Sequence, residues 1–267
     1  MGAGTGMLVP RLFFLNRIKM IGFLNELETT ADTARSLYIP LRLSLPEIGN
    51  LLGKAIDPQD MPRELPDSAA GSKTGAVLFW SSSRKCLVLP PFPIAEERFS
   101  DGCIVEPLRS LLKADLRIGL ILVRLGAYAV GLCRGESLIN SKVGTGLVHG
   151  RHKKGGSSQQ RFQRHREKQI EYFLNRVCCH AREQLEPQAK ALDYIVYGGA
   201  WTTILSLQKR CPFLWQFDNR ILPPLLDISK PNRGVLETAV GRVWSSSVIE
   251  WHVEESHSKV NPKIRLQ

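Results

Sequence analysis

The sequence predicts an α/β fold, a mixed β-sheet flanked by helices, and three observations carry that expectation. Apolar runs separated by short turns come first, as in hairpins, whereas strand-like runs alternate with helical patterns in the second half. One run, Ile118-Gly119-Leu120-Ile121-Leu122-Val123, is continuously apolar, as a strand covered on both faces must be. A chain of 267 residues with 43% hydrophobic content is also long enough to bury one large core or two small ones.

Taken in order, residues 1–70 read as a small N-terminal region of helical and extended segments. Its apolar positions lie in Leu24–Leu27, in the extended Leu37-Tyr38-Ile39-Pro40, and in a helical pattern from Leu45 to Lys54. Pro58, Pro62, Pro66, Gly71 and Gly75 make residues 57–75 a linker by composition. A catalytic domain is then expected over 71–253, with a polar tail over 254–267. Within it, Ala76–Trp80 and Lys85–Leu89 read as a strand pair, and Val105–Leu112 as a short helix. Arg124–Ala127 turns the buried run into Tyr128–Leu132, a second antiparallel pair, and Ser137–Val143 adds a short strand. From Arg161, the residues Phe162, Ile170, Phe173, Leu174, Val177 and Ala181 recur at helical spacing, so a long amphipathic helix runs to just before Pro187. Phe162 and Phe173 are both assigned to its core face. Tyr194–Gly199 is a strand with a glycine turn, Trp201–Leu207 a helix, Leu222–Ile228 a strand, and Gly234–Ser245 a closing helix.

Lys and Arg number 36 against 25 Asp and Glu, a formal charge of +11, which favours nucleic acid or another anionic surface as partner. The six cysteines contain no CxxC pair, which argues against a zinc ribbon or disulfide framework and suits a reducing cytosol. His149-x-x-His152 and Cys178-Cys179-His180 have no second half at metal-site spacing, so neither metal nor cofactor is expected. Residues 7–24 are apolar in patches but broken by Arg11, Arg17 and Lys19, so no membrane span or secretory signal is expected and the location is cytoplasmic.

The basic charge gathers in Gly144–Gln169, GTGLVHGRHKKGGSSQQRFQRHREKQ. A glycine pair inside a cationic run allows close backbone approach to a polyanion. The run lacks the Gly-Lys-Ser/Thr of a Walker loop and the spacing of the Rossmann fingerprint, and no Gly-x-Ser-x-Gly elbow is present. Ser157 and Ser158 have no marked His or acid partner.

From His149 to Phe162, the sequence HGRHKKGGSSQQRF resembles the peptidyl-transferase-centre loop of eukaryotic and archaeal class-one release factors. In those proteins a Gly-Gly-Gln tripeptide precedes a basic helix beginning with Arg-Phe, and Gly155-Gly156 and Arg161-Phe162 keep that distance. Gly119–Leu132 is similar to the hairpin that precedes the loop. Leu225-Leu226-Asp227-Ile228-Ser229 and the following helix are similar to the end of the same domain. The likeness covers roughly Thr74 to Ile249. Ser157 stands where those factors carry glutamine, and the glycine pair followed by Ser158-Gln159 is most similar to the Vms-one-like release factors, the VLRF family, in its actinobacterial and chloroflexal branch.

The resemblance implies a ribonuclease-H-like release-factor catalytic domain that hydrolyses peptidyl-tRNA on stalled large ribosomal subunits, with the subunit, peptidyl-tRNA and ribosomal RNA as partners and no membrane. It assigns catalysis to Gln159, with Gly155 and Gly156 supplying reach and Ser158 bracing the loop; Gln160 stands as the substitute glutamine. Arg151, His152, Lys153, Lys154, Arg161, Arg164 and Arg166 are the expected nucleic-acid contacts. The region before Gly75 lacks the Asn-Ile-Lys-Ser motif of the stop-codon readers, so action independent of stop codons is expected. Two other readings stand beside it: a non-catalytic ribosome- or RNA-binding protein that uses the loop as an anchor, and a nuclease, for which no acidic cluster suited to two metals is visible.

Overall fold

The computed structural model describes residues 8–30, 34–150 and 157–253, and for 157–159 the backbone only. Its elements in chain order are β1 (Leu8–Leu15), α1 (Arg17–Thr30), β2 (Arg35–Ile39), α2 (Leu45–Ala55), α3 (Leu65–Ala70), β3 (Ala76–Trp80), β4 (Lys85–Leu89), β5 (Arg98–Asp101), α4 (Glu106–Lys113), β6 (Arg117–Arg124), β7 (Ala127–Arg134), β8 (Ser137–Thr145), α5 (Ser157–Leu185), β9 (Tyr194–Gly199), α6 (Trp201–Arg210), α7 (Arg233–Val243) and β10 (Ser246–Val253). Short 3-10 segments cover Glu186–Ala191 and Pro212–Arg220. The chain divides into two compact units, one of Met1–Leu108 with Ser246–Gln267 and one of Arg109–Ser245.

The division expected at residue 70 is not where the chain divides. In the first unit β2 pairs with β3 across that point, Leu37 opposite Leu78, and the sheet order is β1-β10-β4-β3-β2-β5. Residues 57–75 are not merely a linker either, because they contain α3, whose Leu65 and Ala69 are buried. Pro66 sits in its first turn, where a missing N–H costs nothing. α2 and α3 lay Leu52 and Leu65 on Leu37, Leu78 and Leu87 of the sheet, all fully buried. At the start of α2 the Glu47 carboxylate accepts hydrogen bonds from the Ser44 N–H at 2.7 Å and from its hydroxyl at 2.6 Å. Those bonds hold the carboxyl below its ordinary range. The apolar patches of residues 7–24 are used in β1, paired along its whole length with β10, and in α1. No helix among the described residues is long and apolar enough to cross a membrane.

The second unit holds a sheet in the order β8-β7-β6-β9. β7 is antiparallel to both β6 and β8, while β6 and β9 run parallel. Leu222–Ile228, expected as a strand, contributes only parallel bridges at Ile195–Ile221 and Gly198–Leu226, the place of a fifth strand beyond β9. This order, with the second strand reversed and an edge segment after the fourth, is the expected ribonuclease-H-like arrangement. Alternation along the strands sends Ile121, Val123 and Val130 into a core with Phe173, Leu174 and Val177 of α5 and Ile204 and Leu207 of α6. The opposite face meets α7, where a Cβ on Gly131 would lie 2.9 Å from Leu236.

The expectation of reduced cysteines is corrected at one pair: Cys178 in α5 and Cys211 just after α6 form a disulfide. The helical period turns Cys178 from the solvent towards the end of α6, which sequence spacing alone does not reveal. Cys86, Cys103, Cys133 and Cys179 are free.

Candidate functional site

The site is built on α5, a helix of 29 residues that begins at Ser157 rather than at Arg161. Its C-terminal half is a core element: Phe173, Leu174, Val177, Ala181 and Leu185 are buried. From Gln160 to Gln169 no residue is buried, and Arg161, Arg164, His165 and Lys168 are exposed. Phe162, expected in the core, is 57% exposed, because the core's last contact in that direction is the partly buried Ile170, about two turns of helix away.

A clip ties the chain leaving β8 to the middle of this helix. Gly146 lies against Phe173, and a Cβ there would come within 2.6 Å of the ring. The guanidinium of Arg176 donates to the Thr145 carbonyl and lies 5.9 Å from the centre of the Tyr128 ring. Further along the chain, both backbone groups of His149 are held: its N–H donates to the Gln169 side chain at 3.1 Å, and its carbonyl accepts from Arg166 Nε at 2.9 Å. The His149 and His165 rings lie 6.3 Å apart. Beyond this clip α5 continues towards its N-terminus, and at 1.5 Å per residue the Gln159 backbone stands about 15 Å further along the axis than Gln169. The first turn contains no acidic residue, so the N–H groups of the helix start and the basic side chains after it give this end of the helix a positive field.

Of the expected site residues, Arg161 and Arg164 are exposed on this projecting half, and Arg166 is partly occupied with the His149 carbonyl. Arg151, His152, Lys153, Lys154, Gly155 and Gly156 lie outside the described residues, as do the side chains of Ser157, Ser158 and Gln159. The backbone of Gln159 is in the first helical turn, and Gln160 beside it is exposed. The sequence reading missed the clip itself, Gln169 and Arg176. Its trace in the sequence is a polar Gln169 beside the apolar positions of the helix. Among the described residues no group of His, Cys, Asp and Glu is placed to hold a metal. His180, in the candidate cluster Cys178-Cys179-His180, instead stacks on Tyr128 at 5.7 Å and has Nδ1 2.8 Å from Glu183 Oε2. Just below the clip, residues 146 and 147 and the facing side of α5 enclose an open groove of about 360 Å³, lined also by His165, Lys168, Gln169, Tyr172, Phe173 and Arg176.

Comparison with known proteins bears on most of this unit. The family model described as Actinobacteria/chloroflexi VLRF1 release factor matches residues 116–249, which include β6 to β9, α5 and all of 144–169. The chain belongs to this VLRF1 release factor family. It is similar to peptide chain release factor subunit 1 of Methanopyrus kandleri, 34% identical over 121 residues, 44% of this chain and 29% of that protein. To the same subunit of Aeropyrum pernix it is 29% identical over 216 residues, 76% of this chain and 55% of that protein. The chain thus spans 29% and 55% of the length of these two curated relatives. Among solved structures it is similar to an archaeal translation termination factor, aRF1, at 18% identity and a TM-score of 0.36, covering 85% of this chain and 73% of the other. It is also similar to Pelota of Archaeoglobus fulgidus, at 10% identity and a TM-score of 0.28, covering 91% and 68%. In this VLRF1-family chain the family match therefore includes the clip, the projecting half of α5 and its glycine-glutamine approach in one continuous stretch.

Proposed function

We propose that this protein is a peptidyl-tRNA hydrolase of ribosome rescue, which frees nascent chains from stalled large ribosomal subunits in the cytoplasm without reading a stop codon. The observation that carries the reading is the projecting basic start of α5, held out by the clip at His149 and carrying Gln159 in its first turn. Membership of a release factor family supports it.

The chemistry required is attack of water on the ester between peptide and terminal ribose. A neutral amide at Gln159 orients one water, and a backbone N–H of the helix start or of the preceding glycines faces the developing oxyanion. No strong base from the protein is needed, because ribosomal RNA and the ribose hydroxyl surround the reaction. Gly155 and Gly156 give the backbone a slim approach, and Ser158 braces it. Arg151, His152, Lys153, Lys154, Arg161, Arg164 and Arg166 meet phosphates of the acceptor end or of ribosomal RNA. The clip fixes position: Arg166 and Gln169, both bonded to His149, tie the chain leaving β8 to the helix.

One feature favours the second reading, a ribosome- or RNA-binding anchor without catalysis. Gln159 falls within a helical turn, two places beyond the position of the release-factor glutamine, where an amide is less free to approach an ester. The two readings separate in a release assay on purified large subunits carrying peptidyl-tRNA. Hydrolysis by the wild type, lost in Gln159→Ala with binding retained, supports the hydrolase. Loss in Gln160→Ala instead transfers the role to Gln160, and binding without any release leaves the anchor.

A further inference from the structure

The groove below the clip has a composition that docking of a helix by phosphate contacts does not require. On a helix of 3.6 residues per turn, Arg161, His165, Lys168, Tyr172 and Arg176 recur at steps of three and four and form one stripe. The stripe runs from the helix start, where Gln159 lies, down to the groove. Glu167 and Glu171 fall on the neighbouring flank, and Glu167 accepts a hydrogen bond from Gln163 at 3.0 Å, so the acidic charge of this segment is kept off the stripe.

At the lower end, Tyr172 and Leu147, each 71% exposed, line the groove together with buried Phe173. Lys168 and Arg176 line it, and among the described residues no carboxylate does. Arg176 is fixed by its bond to Thr145 and its place over the Tyr128 ring, whereas Lys168 is exposed. A π-face with an aliphatic wall takes a planar apolar group, and flanking cations take an anion joined to it. A nucleotide of single-stranded RNA has both parts: unstacked bases stack on aromatic side chains while Lys and Arg meet the phosphates. The volume of about 360 Å³ is in the range of sites for small ligands.

We propose that this groove binds one unstacked nucleotide of single-stranded RNA, its base against Tyr172 and Leu147 and its phosphate on Lys168. The proposal rests on the reading above in taking RNA as the polyanion that the stripe meets. It adds a fixed point on the body of the domain, about 20 Å along the helix from Gln159, that sets how far the helix start reaches.

The test is fluorescence anisotropy of the full chain with a labelled single-stranded RNA octamer and with the same sequence as a duplex. Tyr172→Ala is expected to weaken binding of the single strand roughly tenfold and of the duplex less than twofold, while Tyr172→Phe stays within twofold of the wild type. Lys168→Gln is expected to reduce the slope of log affinity against log salt by about 0.7, a slope that Tyr172→Ala leaves unchanged. Unaltered single-strand binding by Tyr172→Ala, or an equal loss on the duplex, overturns the proposal. So does an equal loss in Tyr172→Phe. The release assay is read separately: Tyr172-dependent binding without peptide release keeps the groove and removes the hydrolase, and release without Tyr172-dependent binding does the reverse.

Discussion

The two halves of α5 share one helix and follow different rules. From Ile170 onward the apolar residues are where packing needs them: Phe173, Leu174, Val177 and Ala181 fill the core of the second unit, and Cys178 is bonded to Cys211. Before Ile170 the helix has no buried residue among those described, carries Arg161, Arg164, His165 and Lys168 in the open, and even leaves Phe162 exposed. Helices are stabilised mostly by burying an amphipathic face, so a half without one is not explained by the stability of the fold. The seam between the halves is the clip at His149, Arg166 and Gln169.

The contrast gives predictions of opposite sign for stability and function. The largest loss of stability is expected for Phe173→Ala, about 3–5 kcal/mol, read as the midpoint of chemical denaturation. Breaking the disulfide with Cys211→Ser opens a cross-link across a sequence separation of 33 and should cost about 3–4 kcal/mol on the chain-entropy estimate. Gly146→Ala crowds the Phe173 ring and should cost about 1–3 kcal/mol, since its Cβ would lie 2.6 Å from a buried side chain. By contrast, Arg161→Ala with Arg164→Ala should change stability by less than about 0.5 kcal/mol while lowering RNA affinity and flattening its salt dependence. A loss of stability in that double variant as large as that of Phe173→Ala would erase the distinction between the halves.

The smallest effect is on the alkaline limb. Burial pushes the Cys133 thiol, on β7, up to about 12. In the unfolded chain it ionises near its ordinary value of about 8.5. A raised folded value means its contribution is fully present below the unfolded value and is lost as pH rises towards 12. Thermal denaturation should therefore show a shallower fall of Tm with rising pH for Cys133→Ala than for the wild type. The exposed Cys179 should be alkylated first in the folded protein.

How much of this was legible in the sequence follows from the range of the forces involved. Continuous apolar runs marked β6, β7 and β9, and alternating periods marked α5, α6 and α7, because those signals are local. β1 was not legible: Pro10 and Arg11 interrupt it, and only pairing with β10, far along the chain, makes it a strand. The same long-range pairing hid β10 and moved the boundary between units away from residue 70. The proline-rich stretch concealed α3, since prolines in a first turn read as breakers. Pairing of Cys178 with Cys211 needs the packing of two helices and has no local signature. At the site, the glycine pair, the glutamines and the basic residues were visible as a motif. The clip was not, because a backbone group at His149 bonded to a side chain at Gln169 leaves little trace in residue types.

The most direct test of the central claim is single-turnover release of peptide from large subunits carrying peptidyl-tRNA, comparing Gln159→Ala with the wild type. The account predicts a fall of at least about a hundredfold in the release rate, with subunit binding within twofold and an unchanged Tm. Release at the wild-type rate, or a fall that merely follows a loss of binding, contradicts it.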